Sequence, residues 1–230
     1  MSQGRIAERL CMHILSTDGG AGRVLIALAG PPGAGKSTLA AELAAALAAR
    51  CGAGQVALVP MDGFHLDNQE LQAKGLLGVK GAPESFDAAG FSALVRAART
   101  GGRDIHYPLF DRAQDKTIPD AATLGADVRF VVFEGNYLLL RQDDWAGLAG
   151  LFDVTVMLTV PLPVLRARLV ARWLTHGLGA AAAEARADGN DMINARTVLE
   201  QSAPADLQLR LQEDGQMTLA IQKDGVSRAG

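Results

Sequence analysis

Cysteine is nearly absent from this chain of 230 residues: Cys11 and Cys51 are the two present, and they are not spaced as a CxxC pair. That pattern indicates neither a disulfide framework nor a zinc site, and makes a reducing cytoplasm the expected compartment. Long apolar runs are lacking too, none reaching the length that spans a bilayer. The first ten residues mix charges of both signs and hold no apolar stretch with a small-residue cleavage site, so secretion is not expected. Nor is there an excess of one charge, since 22 Lys and Arg against 25 Asp and Glu leave a formal net charge of −3, with the basic residues scattered along the chain. The electrostatic footprint of a nucleic-acid or acidic-membrane binder is therefore missing, and a small soluble molecule is the expected partner.

What the chain does have is material for a core. Hydrophobic residues make up 49% of it, which suits one compact domain over residues 1–230 with room for a mobile subdomain. Apolar runs at 24–29, 56–59, 128–133 and 154–160 read as buried strands. Between them, 36–50 is rich in Ala and Leu, 87–99 opens on the N-cap type residue Asp87, and 162–175 starts after Pro161, so all three read as helices. Ile6, Leu10 and Ile14 repeat at helical spacing before a Gly-rich break. Strands alternating with helices predict an α/β fold with a mainly parallel sheet. The Ala- and Gly-rich stretch 177–189 reads as a loosely packed surface segment. Residues 207–211 and 217–221, flanking Glu-Asp-Gly-Gln, read as a terminal hairpin.

One segment carries chemistry outright. Gly30-Pro31-Pro32-Gly33-Ala34-Gly35-Lys36-Ser37 satisfies G-x-x-x-x-G-K-[ST] directly after a strand and directly before a helix, the context of a phosphate-binding P-loop. Its glycines let successive amides converge on a phosphate, and the helix N-terminus faces the same anion. Lys36 can reach the β- and γ-phosphates of ATP, Ser37 can coordinate Mg²⁺, and Thr38 can bond the α-phosphate. No Asn-Lys-x-Asp or Thr-Lys-x-Asp sequence is present to read guanine, which disfavours a GTPase. The strand at 128–133 runs into Glu134, where a magnesium-binding acid would sit, and then Gly135 rather than the second acid of strongly hydrolytic ATPases. Transfer to a bound acceptor is favoured over hydrolysis. In Pro60-Met61-Asp62-Gly63-Phe64-His65, Pro60 closes a strand and leaves Asp62 beyond its carboxyl end, where ligands sit in open α/β sheets. His65 is either an acceptor contact or a structural histidine.

Together these residues resemble the P-loop kinases related to phosphoribulokinase, uridine kinase and bacterial pantothenate kinase. The resemblance rests also on residues 80–87, on Tyr107-Pro-Leu-Phe-Asp-Arg112, and on Phe133-Glu-Gly-Asn-Tyr-Leu138. It runs closest to the branch labelled fructose transport-system kinases. It implies a three-layer P-loop fold with helices on both faces of the sheet and a helical lid around 162–190. It also implies ATP and Mg²⁺ as cofactors, with Asp62 as catalytic base. Lys80, Tyr107, Arg112, Asn136 and Tyr137, with Asp111, would edge the acceptor site, although Lys80 could equally be a solvated loop charge and the 107–112 group a salt-linked turn. In such a lid Arg172 would neutralise the transferring phosphoryl group and Arg168 would contact the nucleotide, while Asn190, Asp191 and Asn194 would approach the adenine. The acceptor implied is a sugar or sugar-like compound, then a nucleoside or pantothenate. A slow regulatory P-loop ATPase is the alternative from another class, and a homodimer is among the assemblies the resemblance allows.

Overall fold

Every residue of β1 (Val24–Ala29) is buried, as a strand must be when helices cover both faces of its sheet. Its side chains alternate. Ile26 and Leu28 join one core with Ile6, Leu10 and Ile14 of α1 (Gln3–Thr17) and Leu39 and Leu43 of α2 (Lys36–Cys51). Leu25, Ala27 and Ala29 join the other, with Phe91 and Val95 of α4 (Ala88–Thr100), which follows the short helix α3 (Asn68–Ala73), and the rings of Phe133, Tyr137, Trp145 and Phe152. The computed structural model describes residues 3–20, 22–212 and 215–221.

β1 is flanked by β5 (Phe130–Gly135) and β6 (Val154–Thr159), both parallel to it, with β2 (Val56–Pro60) parallel to β5 on the outside. β7 (Leu207–Leu211) adds to β6 in parallel, and β8 (Met217–Ile221) closes the edge antiparallel to it, giving the order β2-β5-β1-β6-β7-β8. The terminal hairpin is thus a continuation of the main sheet; Glu213 and Asp214 of its turn lie outside the described residues. The carboxyl ends of β1, β2 and β5 fall side by side, and the loops that leave them share one edge of the sheet.

Two elements differ from the sequence expectation. Residues 177–189 do not stay loose: α6 (Ala180–Arg186) follows α5 (Leu162–Thr175) and leads through a π-turn (Ala187–Asp191) into α7 (Met192–Gln201). Alanine is the strongest helix former, and Ala183 and Ala187 are small enough to be buried there. Residues 107–112, open in the sequence to reading as a salt-linked turn, instead belong mostly to one strand of an antiparallel ribbon, β3 (Ile105–Asp111) and β4 (Lys116–Leu124). This ribbon stands apart from the main sheet, so Pro108 and Pro119 fit where an interior strand would reject them.

The ribbon is pressed against the Asp62 turn. A Cβ added to Gly63 would lie 2.1 Å from the backbone oxygen of Pro108, and one added to Gly135 would lie 2.5 Å from the Cβ of Met61. Glycine at both places lets β3, the turn and β5 pack in direct contact. Gly63→Ala must push backbone against backbone, at a cost of about 1–3 kcal/mol. We expect a melting temperature lowered by several degrees, measured by calorimetry; an unchanged midpoint would contradict this packing.

Candidate active site

The loop between β1 and α2 is built to surround an anion. Gly33 and Gly35 have φ of 78° and 95°, in the left-handed region open to glycine. Gly35 is the N-cap of α2 and no side chain caps that end, so the first amides of the helix are left for a ligand. Gly30 lies so close to β6 that a Cβ there would meet the Leu158 carbonyl oxygen at 2.9 Å. Residues 30–38 therefore have the shape and the free helix end that would suit a phosphate group.

Beside it, Lys36 is 8% exposed. Its Nζ donates to the Pro31 carbonyl at 3.0 Å and to Asn136 Oδ1 at 2.7 Å. Burial lowers its pKa from the ordinary 10.5 to about 8, against the opposing pull of Glu134 and Asp62. Ser37 Oγ donates to Glu134 Oε1 at 3.1 Å, and burial raises the pKa of Glu134 while Lys36 lowers it. One hydroxyl and one carboxylate in contact are the share a protein usually contributes to a divalent ion completed by substrate phosphates.

Asp62 sits in the turn after β2, its carboxylate accepting from Arg112 Nη2 at 2.8 Å. It faces a cavity of about 450 Å³, also lined by His65, Lys80, Asn136 and Arg172. His65 stacks on Phe86 with ring centroids 3.9 Å apart, and burial lowers its pKa to about 4, so its ring is neutral near pH 7. Its Nδ1 is buried without a hydrogen-bond partner in the protein. Lys80 Nζ reaches Asp115 at 2.9 Å and Asn68 at 2.7 Å and lies over the Phe110 ring. Arg172 rests on Asp191, 3.3 Å from each oxygen, and over the Trp173 ring; its Nε is buried and unpartnered. Arg168 Nη1 donates to the carbonyls of Gly33 and Ala34 at 3.2 and 3.4 Å.

Some expected site residues lie elsewhere. Tyr107 is buried and its hydroxyl donates to the Leu58 carbonyl at 3.4 Å, because β3 packs that side chain under β2 rather than into the cavity. Tyr137 is fully buried, its hydroxyl donating to the Gly81 carbonyl at 2.6 Å; it anchors the loop that carries Lys80. Asp111 accepts from the amides of Ala113 and Gln114, closing the ribbon turn and lowering its own pKa. Asp191 and Asn194 line the Asp62 cavity, and Asn190 donates to the Lys80 carbonyl, so these three stand on the Asp62 side. Phe110, Asp115 and Arg186 also line the cavity and were not anticipated. The charged turn Asp-Arg-Ala-Gln-Asp-Lys between two proline-bearing extended runs was the available signal.

No family model matches the chain. The Schizosaccharomyces pombe protein named "Putative uridine kinase C227.14" is 41% identical over 199 residues, 82% of this chain and 85% of that one. The crystal structure of a "putative fructose transport system kinase" from Silicibacter sp. TM1040 is 48% identical, covers 90% of this chain and 98% of its own, and superposes with a TM-score of 0.83. A pantothenate kinase of Leifsonia xyli is 32% identical over 151 residues, which span 65% of this chain and 45% of that protein. With the phosphate cradle and a facing carboxylate, these similarities place the chain among the P-loop kinases that include uridine kinase-like proteins and pantothenate kinases, and make it an ATP-dependent small-molecule kinase.

Proposed function

We propose that this kinase moves the γ-phosphate of ATP to a hydroxyl of a sugar or sugar-like compound held in the cavity over Asp62, with Mg²⁺ as its divalent ion. The observation that carries the reading is the junction of two built halves. A phosphate cradle with a buried lysine opens onto a cavity where one carboxylate faces polar side chains set between aromatic rings. Apolar faces beside a few fixed polar groups suit a ring that presents C–H on its faces and hydroxyls on its edge.

Each residue then has a task. The amides of Gly30, Gly33, Ala34 and Gly35 and the hydroxyl of Thr38 hold the phosphates, and Lys36 exchanges its Asn136 contact for them. Mg²⁺ at Ser37 and Glu134 would supply the positive charge that neutralises the β- and γ-oxygens. Asp62, oriented by Arg112, takes the proton of the acceptor hydroxyl. His65, neutral and one hydrogen bond short, binds a hydroxyl, while Lys80 and Asn136 fix others. Arg172 leaves Asp191 to meet the transferring group as the lid closes, and Arg168 holds the nucleotide end. A nucleoside acceptor is the second reading, favoured by the name of the 41% identical relative.

The low pKa of Lys36 has a consequence for binding. In the ligand-free protein it loses its proton near pH 8, and a phosphate anion beside it raises that pKa, so nucleotide binding above pH 8 takes up a proton. Affinity for ADP should fall as pH rises from 8 toward 10. At pH 8.5, calorimetry in buffers of different ionisation enthalpy should register uptake of roughly half to one proton. Lys36→Met should abolish it, and a binding enthalpy independent of buffer would contradict the assignment.

Asp62→Asn keeps the shape and removes the base. A mass-spectrometric screen of sugars, nucleosides and pantothenate first identifies the acceptor; phosphorylation of uridine and of no sugar would replace the sugar reading by the nucleoside one. With that acceptor, Asp62→Asn should lower kcat by about 10²–10⁴ while ATP affinity and melting temperature stay close to those of the unaltered protein. Turnover within a few-fold of the original would remove Asp62 from the mechanism.

A further inference from the structure

The ion pairs that line the Asp62 cavity leave one cation over. Lys80 is paired with Asp115 at 2.9 Å, Arg112 with Asp62 at 2.8 Å and Arg172 with Asp191 at 3.3 Å. Arg186 lines the same cavity without a carboxylate partner among the described residues, its Nη1 and Nη2 donating to the carbonyls of Gly78 and Lys80 at 3.1 and 3.4 Å. We infer that Arg186 anchors an anionic group of the acceptor, a carboxylate or a phosphate ester carried apart from the hydroxyl that reacts. The inference rests on the reading of the Asp62 cavity as the site of a sugar-like acceptor, and it narrows that acceptor to an acidic sugar derivative.

The first support is the charge itself. A guanidinium stays protonated at any working pH, so its surplus charge cannot be shed by titration, and backbone carbonyls orient it without neutralising it. Asp191 is already shared. Arg172 reaches both of its oxygens and Trp173 Nε1 donates to one of them at 2.5 Å. The Trp173 ring carries both guanidiniums, with Arg172 at 5.0 Å and Arg186 at 5.3 Å from its centroid. Two cations thus stand at one wall of the cavity, and an anion entering there meets the excess positive charge.

The second is preorganisation. Arginine offers five N–H donors in a fixed fork, and the bonds to Gly78 and Lys80 leave others for a pair of oxyanion oxygens. The backbone that holds Arg186 is itself held from two sides. Asn190 donates to the Lys80 carbonyl at 2.9 Å, and the Tyr137 hydroxyl donates to the Gly81 carbonyl at 2.6 Å.

The third is a division among the arginines. Arg168 is tied to the Gly33 and Ala34 carbonyls, and Arg172 lies close enough to Lys36 to help lower its pKa. Those two stand toward the β1–α2 loop. Arg186 is tied instead to the 78–80 loop, whose Lys80 also lines the cavity. The acceptor's anion and the phosphates of ATP would therefore be answered by different cations, which spares two like charges a shared partner.

The test measures kcat/KM with the full chain and ATP for pentoses and hexoses, each as neutral sugar, aldonic acid and terminal phosphate monoester. At least one anionic form should exceed its neutral parent by about tenfold or more, and the acid and ester arms tell which anion is taken. Arg186→Gln should bring that preference toward one, acting through KM, with ADP affinity and melting temperature close to those of the unaltered protein. Arg186→Lys should keep part of it. Neutral sugars used as well as their anionic forms, or a preference that survives Arg186→Gln, would overturn the inference and leave the sugar reading standing. Loss of ADP affinity in Arg186→Gln would assign this arginine to the nucleotide and overturn it as well. Turnover of none of these compounds would remove the sugar reading, and the inference with it.

Discussion

The buried ammonium of Lys36 is the constraint around which the site is arranged. Taking a charge out of water is costly unless partners answer it. Here the partners are a loop carbonyl, the Asn136 amide oxygen and the nearby carboxylates of Glu134 and Asp62, and even so its pKa drops to about 8. A cation held at that cost suits an anionic ligand, and the uncapped start of α2 lies beside it. The opposite shift at Glu134 has the same cause, because the carboxylate shares the dry space beside Ser37.

The fold makes that arrangement possible by lining up strand ends. β1 lies between β5 and β6, and β2 lies outside β5, so Lys36, Glu134 and Asp62 all arrive from neighbouring carboxyl ends. Close backbone approach at Gly63 and Gly135 fixes the Asp62 turn between β3 and β5. The α6–α7 segment answers from the other side: Arg186 and Asn190 bond the backbone of the loop that ends at Lys80. The 78–80 loop and the α6–α7 segment are therefore tied by polar contacts that can be exchanged, while the β1–α2 loop is tied by packing that cannot.

Much of this was legible in the residues. The P-loop, the four buried strands and the place of Asp62 follow from apolar runs, glycine spacing and Pro60, because local sequence alone dictates them. Tyr107 and Tyr137 were misplaced because an aromatic hydroxyl near a motif looks the same whether it faces a cavity or a buried carbonyl, and only the packing of β3 and β5 decides. The helix α6 was missed since glycines at 177, 179 and 189 obscured a run of alanines whose partner is α5. The ribbon β3–β4 is hard to read from sequence, because Pro108 and Pro119 disfavour interior strands and fit only since the ribbon stands apart from the main sheet.

The central claim is that the cradle and the Asp62 cavity act together, so that phosphate leaves ATP for a bound hydroxyl and not for water. The most direct measurement follows ADP, free phosphate and phosphate ester in one reaction, with and without the acceptor. Our account predicts that ADP release rises with the acceptor and is matched mole for mole by ester, with little free phosphate. ADP matched by free phosphate, at a rate indifferent to any acceptor, would contradict it.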